Sequence, residues 1–172
     1  KALLRTRPLS NVTIADITEG CGINRMTFYY HFRDIYDLVE WICREECSAA
    51  LGGPLDRETW QEGFCDLCRH VLEERSFFTA VYHSVSREEL ENYLYRATYS
   101  ILRRALDEFA GDSPVGEEEK KFIADFYKFA LVGLELEWLR SGMREPPEEL
   151  AGRLSRLLNG HLELAFRNLS RE

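Results

Sequence analysis

Thr13 to Leu38 reads TIADITEGCGINRMTFYYHFRDIYDL. Two short apolar-periodic segments are joined by Glu19-Gly20-Cys21-Gly22-Ile23, and the start of a third helix follows. The periodicity predicts Ile14 and Ile17 on one face of the first segment, and Ile23, Phe28 and Phe32 turned inward from the second. Asn24 stands where a helix N-cap belongs, since its side-chain oxygen can accept a bond from an early backbone N–H. Two helices with a short Gly-containing turn make a helix-turn-helix. The second helix carries Asn24, Arg25, Met26, Thr27, Tyr29, Tyr30 and His31 within about two turns. So dense a set of hydrogen-bonding side chains on so short a helix is expected of one that reads base edges rather than one that only packs.

On the N-terminal side, residues 1–6 (KALLRT) read as the tail end of a helix that Pro8 cannot continue. The chain begins at Lys1 without a methionine, which predicts that further residues precede it. On the C-terminal side, Asp34 is a candidate cap for a longer helix ending near Leu51, with Ile35, Leu38, Val39, Ile42 and Ala49 at helical spacing. Gly52-Gly53-Pro54 is the clearest break. It divides the chain into a helix-turn-helix unit, 1–51, and a second unit, 52–172, with the helix before the break expected to touch both.

The second unit reads as helices throughout. Asp56 is a candidate cap for a helix striped by Trp60, Phe64, Leu67, Cys68, Val71 and Leu72, and a short segment, Phe77–His83, follows. Ser86-Arg87-Glu88-Glu89 is a capping box opening a helix to about Ala110. After a loop from Gly111 to Gly116 containing Pro114, Glu117-Glu118-Glu119 suits the positive end of a helix dipole. That helix, to about Gly142, is apolar around much of its circumference, and Pro146-Pro147 opens a last helix through Leu169. Helices hydrophobic on several sides are buried on several sides. In a chain of 172 residues part of that burial is expected from a second copy, with Gly133 and Gly160 allowing close helix approach in a two-fold, four-helix interface. The fold class is all-α: a three-helix head joined to an antiparallel helical bundle.

Net charge is −8, which taken alone speaks against nucleic acid. The distribution reverses that. Residues 1–33 hold Lys1, Arg5, Arg7, Arg25 and Arg33 against Asp16 and Glu19, a net of +3, and the rest carries −11. A small DNA-facing head on an acidic body is the expected arrangement, each head neutralising only a few phosphates. No signal peptide or bilayer-length apolar run is present, so a cytoplasmic protein without a membrane partner is expected.

The run Thr13-Ile14-x-Asp16-Ile17, then Gly22-Ile23-x-x-x-Thr27-Phe28-Tyr29-Tyr30-His31-Phe32-Arg33-Asp34 with Leu38 following, resembles the DNA-binding segment of TetR-type transcriptional regulators. The resemblance covers about the first 50 residues and is architectural beyond Gly53. RMTFYYHFRDIYDLVEW also resembles the subgroup that activates dihydroxyacetone kinase operons. The resemblance implies base contacts from Asn24, Arg25 and Met26, and phosphate contacts from Thr13, Thr27, Tyr29, Tyr30 and Arg33. It implies a homodimer on a double-stranded, near-palindromic operator, controlled by a small-molecule or protein effector at the C-terminal unit. Phe28 and Phe32 would be core. Ile35 departs from the family, many members of which have a phosphate-gripping lysine there.

Two competing signals remain. Cys43-x-x-x-Cys47 and Cys65-x-x-Cys68 put each pair on one helix face, where four thiolates could bind zinc or switch redox state. Both stretches are helical with apolar neighbours, so thiols packed as small hydrophobes are expected, with no metal or other cofactor. His70, His83 and His161 lack carboxylates at catalytic spacing, and no nucleophile–base pair or phosphate-cradling loop stands out, so no enzyme is expected. Trp60, Phe64, Tyr82, Tyr99, Tyr127 and Trp138 are candidates for lining an effector pocket.

Overall fold

The computed structural model describes residues 1–52, 59–111 and 115–169, and among these the chain is helical with no β-strand. The head comprises α1 (Ile14–Cys21), α2 (Arg25–His31) and α3 (Ile35–Ala50). Before α1 the chain forms two short 3-10 turns, Ala2–Arg5 and Leu9–Asn11, in place of the expected α-helical tail. The body comprises α4 (Trp60–Glu73), α5 (Arg75–Ser84), α6 (Arg87–Ala110), α7 (Glu117–Arg140), α8 (Pro147–Leu158) and α9 (His161–Leu169). Gly53, Pro54, the Asp56 cap and Pro114 lie outside the described residues.

The capping box that opens α6 is formed, with Glu89 N–H bonded to the Ser86 hydroxyl at 3.2 Å and the Ser86 N–H returning to the Glu89 carboxylate at 3.2 Å. α6 and α7, 24 residues each, make the most extensive helix pair of the fold. Their direction follows from the contacts: Lys120 bonds Asp107 at 3.0 Å, Lys128 lies over the Tyr99 ring at 5.2 Å, and Phe129 stacks edge-on against Tyr95 at 5.1 Å. Partners descend along α6 as they rise along α7, so the pair is antiparallel.

One sequence expectation fails. The last helix is two helices, broken at Asn159-Gly160, where Gly160 adopts a left-handed φ of +76°. Leucine periodicity carries on through the break, which is why the sequence reads as continuous. Gly160 is therefore a turn residue, and a Cβ placed there would meet nothing within 4 Å. Gly133 is exposed on α7, and a Cβ placed there would meet nothing within 4 Å.

Three buried clusters hold the fold. Leu9, Val12, Val39, Cys43, Phe77 and Val81 join the N-terminal turns, α3 and α5. Leu106, Ala110, Val115, Ile123, Ala124 and Phe166 close the far end of α6, α7 and α9. Cys68, Trp138, Met143 and Leu150 join α4, α7 and α8, with the Trp138 indole N–H donating to the Glu145 carbonyl at 2.9 Å. The first cluster packs the N-terminal turns and α3 against α5.

Candidate nucleic-acid interface and the cavity behind it

The head is built by four local devices. Thr13 caps α1 reciprocally with Asp16: the Asp16 N–H bonds the Thr13 hydroxyl at 3.2 Å, and the Thr13 N–H bonds the Asp16 carboxylate at 2.8 Å. The Thr13 hydroxyl and N–H, with Arg7, hold the Asp16 carboxyl down at about 2. α1 ends at Gly22, with φ +66°, where Gly22 N–H bonds the Glu19 carbonyl at 3.2 Å and Ile23 N–H bonds Thr18 at 3.0 Å. This is a Schellman closure, and a Cβ at that φ would be strained. The Asn24 side-chain oxygen accepts from Met26 and Thr27 N–H at 2.5 and 3.3 Å, opening α2. Asp34 opens α3 by accepting from Asp37 N–H at 2.9 Å.

With α2 fixed at both ends, a single ring anchors it. Phe28 is 3% exposed and packs against Phe32 at 5.7 Å, which in turn meets Trp41 at 5.8 Å. Everything else on α2 faces outward: Arg25 and Thr27 are exposed, Met26 is 73% exposed, Tyr29 53% and Tyr30 84%. Ile23, expected inward, is 42% exposed because it belongs to the turn. Ile35 is half-buried against the head–body cluster, so the position that departs from the lysine pattern is used for packing.

The head's positive charge is largely engaged within the protein. Lys1 pairs with Glu46 at 2.7 Å, Arg7 with Asp16 at 3.0 Å, Arg5 reaches Glu74 at 4.0 Å, and the exposed Arg33 lies 3.6 Å from Asp37. Arg25 makes no ion pair among the described residues. Asn24 has its oxygen committed to the cap, leaving its amide N–H groups to face outward as donors. Replacing it, Asn24→Ala, leaves two N–H groups of α2 without acceptors. The expected cost is about 1 kcal/mol of stability, seen as a small drop in Tm together with weaker DNA binding as α2 frays.

Behind the head, two adjoining cavities run through the body. The larger, about 470 Å³, lies between α3, α4, α5, α6 and α7. Its outer end reaches Arg33, Asp34, Tyr36 and Asp37, immediately after α2. The smaller, about 260 Å³, lies toward α8 and α9. Phe64, Leu67, Thr98, Ile101 and Glu135 belong to the walls of both. Of the aromatic candidates, Phe64, Tyr82 and Trp138 line the larger cavity, and Trp60, Phe64 and Tyr127 the smaller. Tyr99 lines neither; it packs beside the far cluster under the Lys128 ammonium.

The polar group that aromatic content did not reveal is Glu135. It stands in the C-terminal third of α7, within LVGLELEWL, enclosed by protein and open only toward the cavities. Burial raises its carboxyl to about 8, and no cation offsets that. The sequence signal was an acidic residue on a helix otherwise apolar at that level.

Three of the cysteines, Cys43, Cys47 and Cys68, line the larger cavity. Burial pushes the Cys43, Cys47 and Cys68 thiols up to about 12, and Cys65 upward as well. All five cysteines are free, Cys21 alone being exposed. Among the described residues, no group of three or more His, Cys, Asp or Glu side chains has the geometry to hold a metal ion. Protonated, buried thiols are poor nucleophiles and poor ligands, so the thiol or zinc sensor reading is not favoured. No described helix is long and apolar enough to cross a membrane.

Comparison with known proteins agrees with this geometry. A family model described as bacterial regulatory proteins, tetR family, matches residues 1–42, and one described as transcriptional regulator C-terminal region matches residues 58–160. The chain is similar to the HTH-type dhaKLM operon transcriptional activator DhaS of Lactococcus lactis subsp. lactis (strain IL1403), with 22% identity over 144 residues, 83% of this chain and 76% of that protein. Among solved structures, the dihydroxyacetone kinase operon activator DhaS superimposes with a TM-score of 0.70 at 20% identity, covering 95% of this chain and 91% of that one. The latter is a likeness of fold.

Proposed function

The chain belongs to the TetR family of transcriptional regulators, and from that premise we propose that it works as a homodimer whose two α2 helices enter successive major grooves of a near-palindromic operator. The observation that carries this reading is α2 itself: seven residues, one anchoring ring, and Arg25, Met26, Tyr29 and Tyr30 side by side in solvent. Arg25 reads a guanine edge, Met26 supplies apolar contact to bases, and Asn24 donates with its remaining N–H groups. Thr13, Thr27, Tyr29, Tyr30 and Arg33 meet phosphates, Arg33 by giving up its 3.6 Å pair with Asp37.

Support for the dimer comes from a stripe that the monomer leaves bare. Phe122, Phe126, Phe129 and Leu134 of α7 are 64%, 63%, 56% and 43% exposed. Leu157 of α8 and Leu164 of α9 are 62% and 51% exposed. Exposed apolar side chains in this number point to an association face, and a two-fold axis lets one face serve both copies. Heads held that way suit half-sites about 34–36 Å apart or a multiple of that.

Control runs through the cavities. An occupant of the larger one touches Val39, Glu40, Cys43 and Cys47 of α3, the helix that follows α2 directly. A ligand that favours one setting of α3 shifts the head spacing and thereby the DNA affinity. The open cavity favours a small-molecule effector over control by a protein partner alone.

Selecting bound fragments from the source genome with purified protein tests the reading and reports the operator. On that operator, Arg25→Ala is expected to lose about 1–3 kcal/mol against the preferred base and to relax specificity at one position per half-site. Tyr30→Phe is expected to weaken all sequences evenly. Unchanged sequence preference in Arg25→Ala would remove α2 from the reading.

A further inference from the structure

Glu135 is a carboxyl group in the wall between two apolar cavities, and no hydrogen bond or ion pair reaches it from the described residues. Buried carboxyl groups left without a partner cost stability, so a site that retains one is matched to something that arrives from outside. We infer that the effector is a lipophilic organic cation, an apolar or aromatic body bearing one ammonium group, whose charge is seated against Glu135. The inference rests on the effector-controlled regulator reading above and names the chemistry of its ligand.

Three observations favour a cation over an anion or a neutral acceptor. The first is the surroundings of Glu135. The thiols nearest to it, Cys47 on α3 and Cys68 on α4, are held neutral by burial, so its negative charge would be uncompensated until a ligand supplied the opposite sign. The second is the aromatic furniture. Phe64, Phe78, Tyr82 and Trp138 line the larger cavity, and ring faces attract an ammonium. The third is the charge along the larger cavity toward the head. Asp34, Asp37, Glu40 and Glu89 line it against Arg33 and Arg96, and both arginines are already paired, Arg33 with Asp37 at 3.6 Å and Arg96 with Glu40 at 2.8 Å. The surplus is acidic and draws cations inward. A cavity of about 470 Å³ is within the ordinary range for a drug-sized ligand.

The test uses the full chain and a matched pair of probes: 4-phenylbutyl-trimethylammonium and its neutral carbon isostere, in which the ammonium nitrogen is a quaternary carbon. Trp60 and Trp138 line the cavities, so quenching of tryptophan fluorescence reads occupancy, with calorimetry as the second measure. The cation is expected to bind the wild type more tightly than the isostere. Glu135→Gln, of nearly the same shape and checked for helical content, is expected to weaken the cation by about 30-fold or more and leave the isostere unchanged. Three outcomes overturn the inference: no binding of the cation at millimolar concentration, equal affinity for the two probes, or equal affinity of wild type and Glu135→Gln for the cation. A neutral probe that binds Glu135→Gln more tightly than the wild type also counts against it. Operator binding measured alongside separates the two claims. If the cation binds through Glu135 but leaves DNA affinity unchanged, the ligand class stands and effector control fails. If the protein selects no DNA, the regulator reading fails on its own.

Discussion

Phe126→Glu is expected to turn the protein into a monomer and to reduce operator affinity by about two to four orders of magnitude. Phe126 is 63% exposed and lies between the exposed Phe122 and Phe129, so its replacement disturbs little internal packing beyond its edge contact with Tyr127. On a two-fold axis the new carboxylate appears twice, close to its own copy, and both charges would be stripped of water. The DNA effect follows from linkage. Each head offers a net charge of only +3 over residues 1–33, and most of those cations are already paired inside the protein. On the proposed dimer, one head would hold few phosphates, and tight binding would depend on the second being delivered by the first. Sedimentation and a gel-shift titration read the two consequences separately. A Phe126→Glu protein that remains dimeric would place the association face elsewhere.

Glu135→Gln is expected to stabilise the empty protein at alkaline pH and to do almost nothing in acid. The carboxyl sits at about 8 in the folded chain against 4.5 for an ordinary glutamate. Between those values the folded state keeps a proton that the unfolded state releases, so stability falls as pH rises through this window. Below it both states are protonated and the group costs little. Above it both are ionised and the burial penalty is at its full, constant size. At about pH 9 the substitution is expected to recover on the order of 3–5 kcal/mol, a rise of about 10 °C in Tm for a chain of this length. At about pH 4 the two proteins are expected to melt together. The Cys47 and Cys68 thiols, pushed up to about 12, also lower stability at alkaline pH, but both proteins carry them and the comparison isolates Glu135. Parallel melting curves at both pH values would mean that the carboxyl is not enclosed as described.

The head was legible in the sequence because local chemistry dictates it. Thr13, Asn24 and Asp34 cap the helices at which they stand, Gly22 closes α1, and Phe28 is the anchor. Each of these signals acts within about four residues of its own position, and a sequence displays that range directly. The body was legible as helices and obscure as a site. Leucine spacing ran through Asn159-Gly160 and concealed a break that a single left-handed residue makes. Tyr99 and Tyr127 are both half-buried tyrosines beside one cluster, yet Tyr127 lines the smaller cavity and Tyr99 lines neither of the two, because long-range packing decides which side of a helix is left unfilled. Glu135 was passed over for the same reason. One of several acids on a partly apolar helix, like its neighbour Glu137, reads equally as a surface group until the helices packed around it are known.

Val39 and Cys43 occupy two roles at once. They belong to the cluster that seats the head on α5, and they form part of the cavity wall. Most mechanical linkages lose motion to slack between the part that senses and the part that moves. Under the proposed control, the sensing surface and the bearing would be the same two side chains, one turn apart on α3, so a shift at the cavity wall would be a shift at the seat of the head. On the effector reading proposed above, such a linkage would be geared without backlash, and Leu9 and Phe77, which close the same cluster from the other side, would set its stiffness.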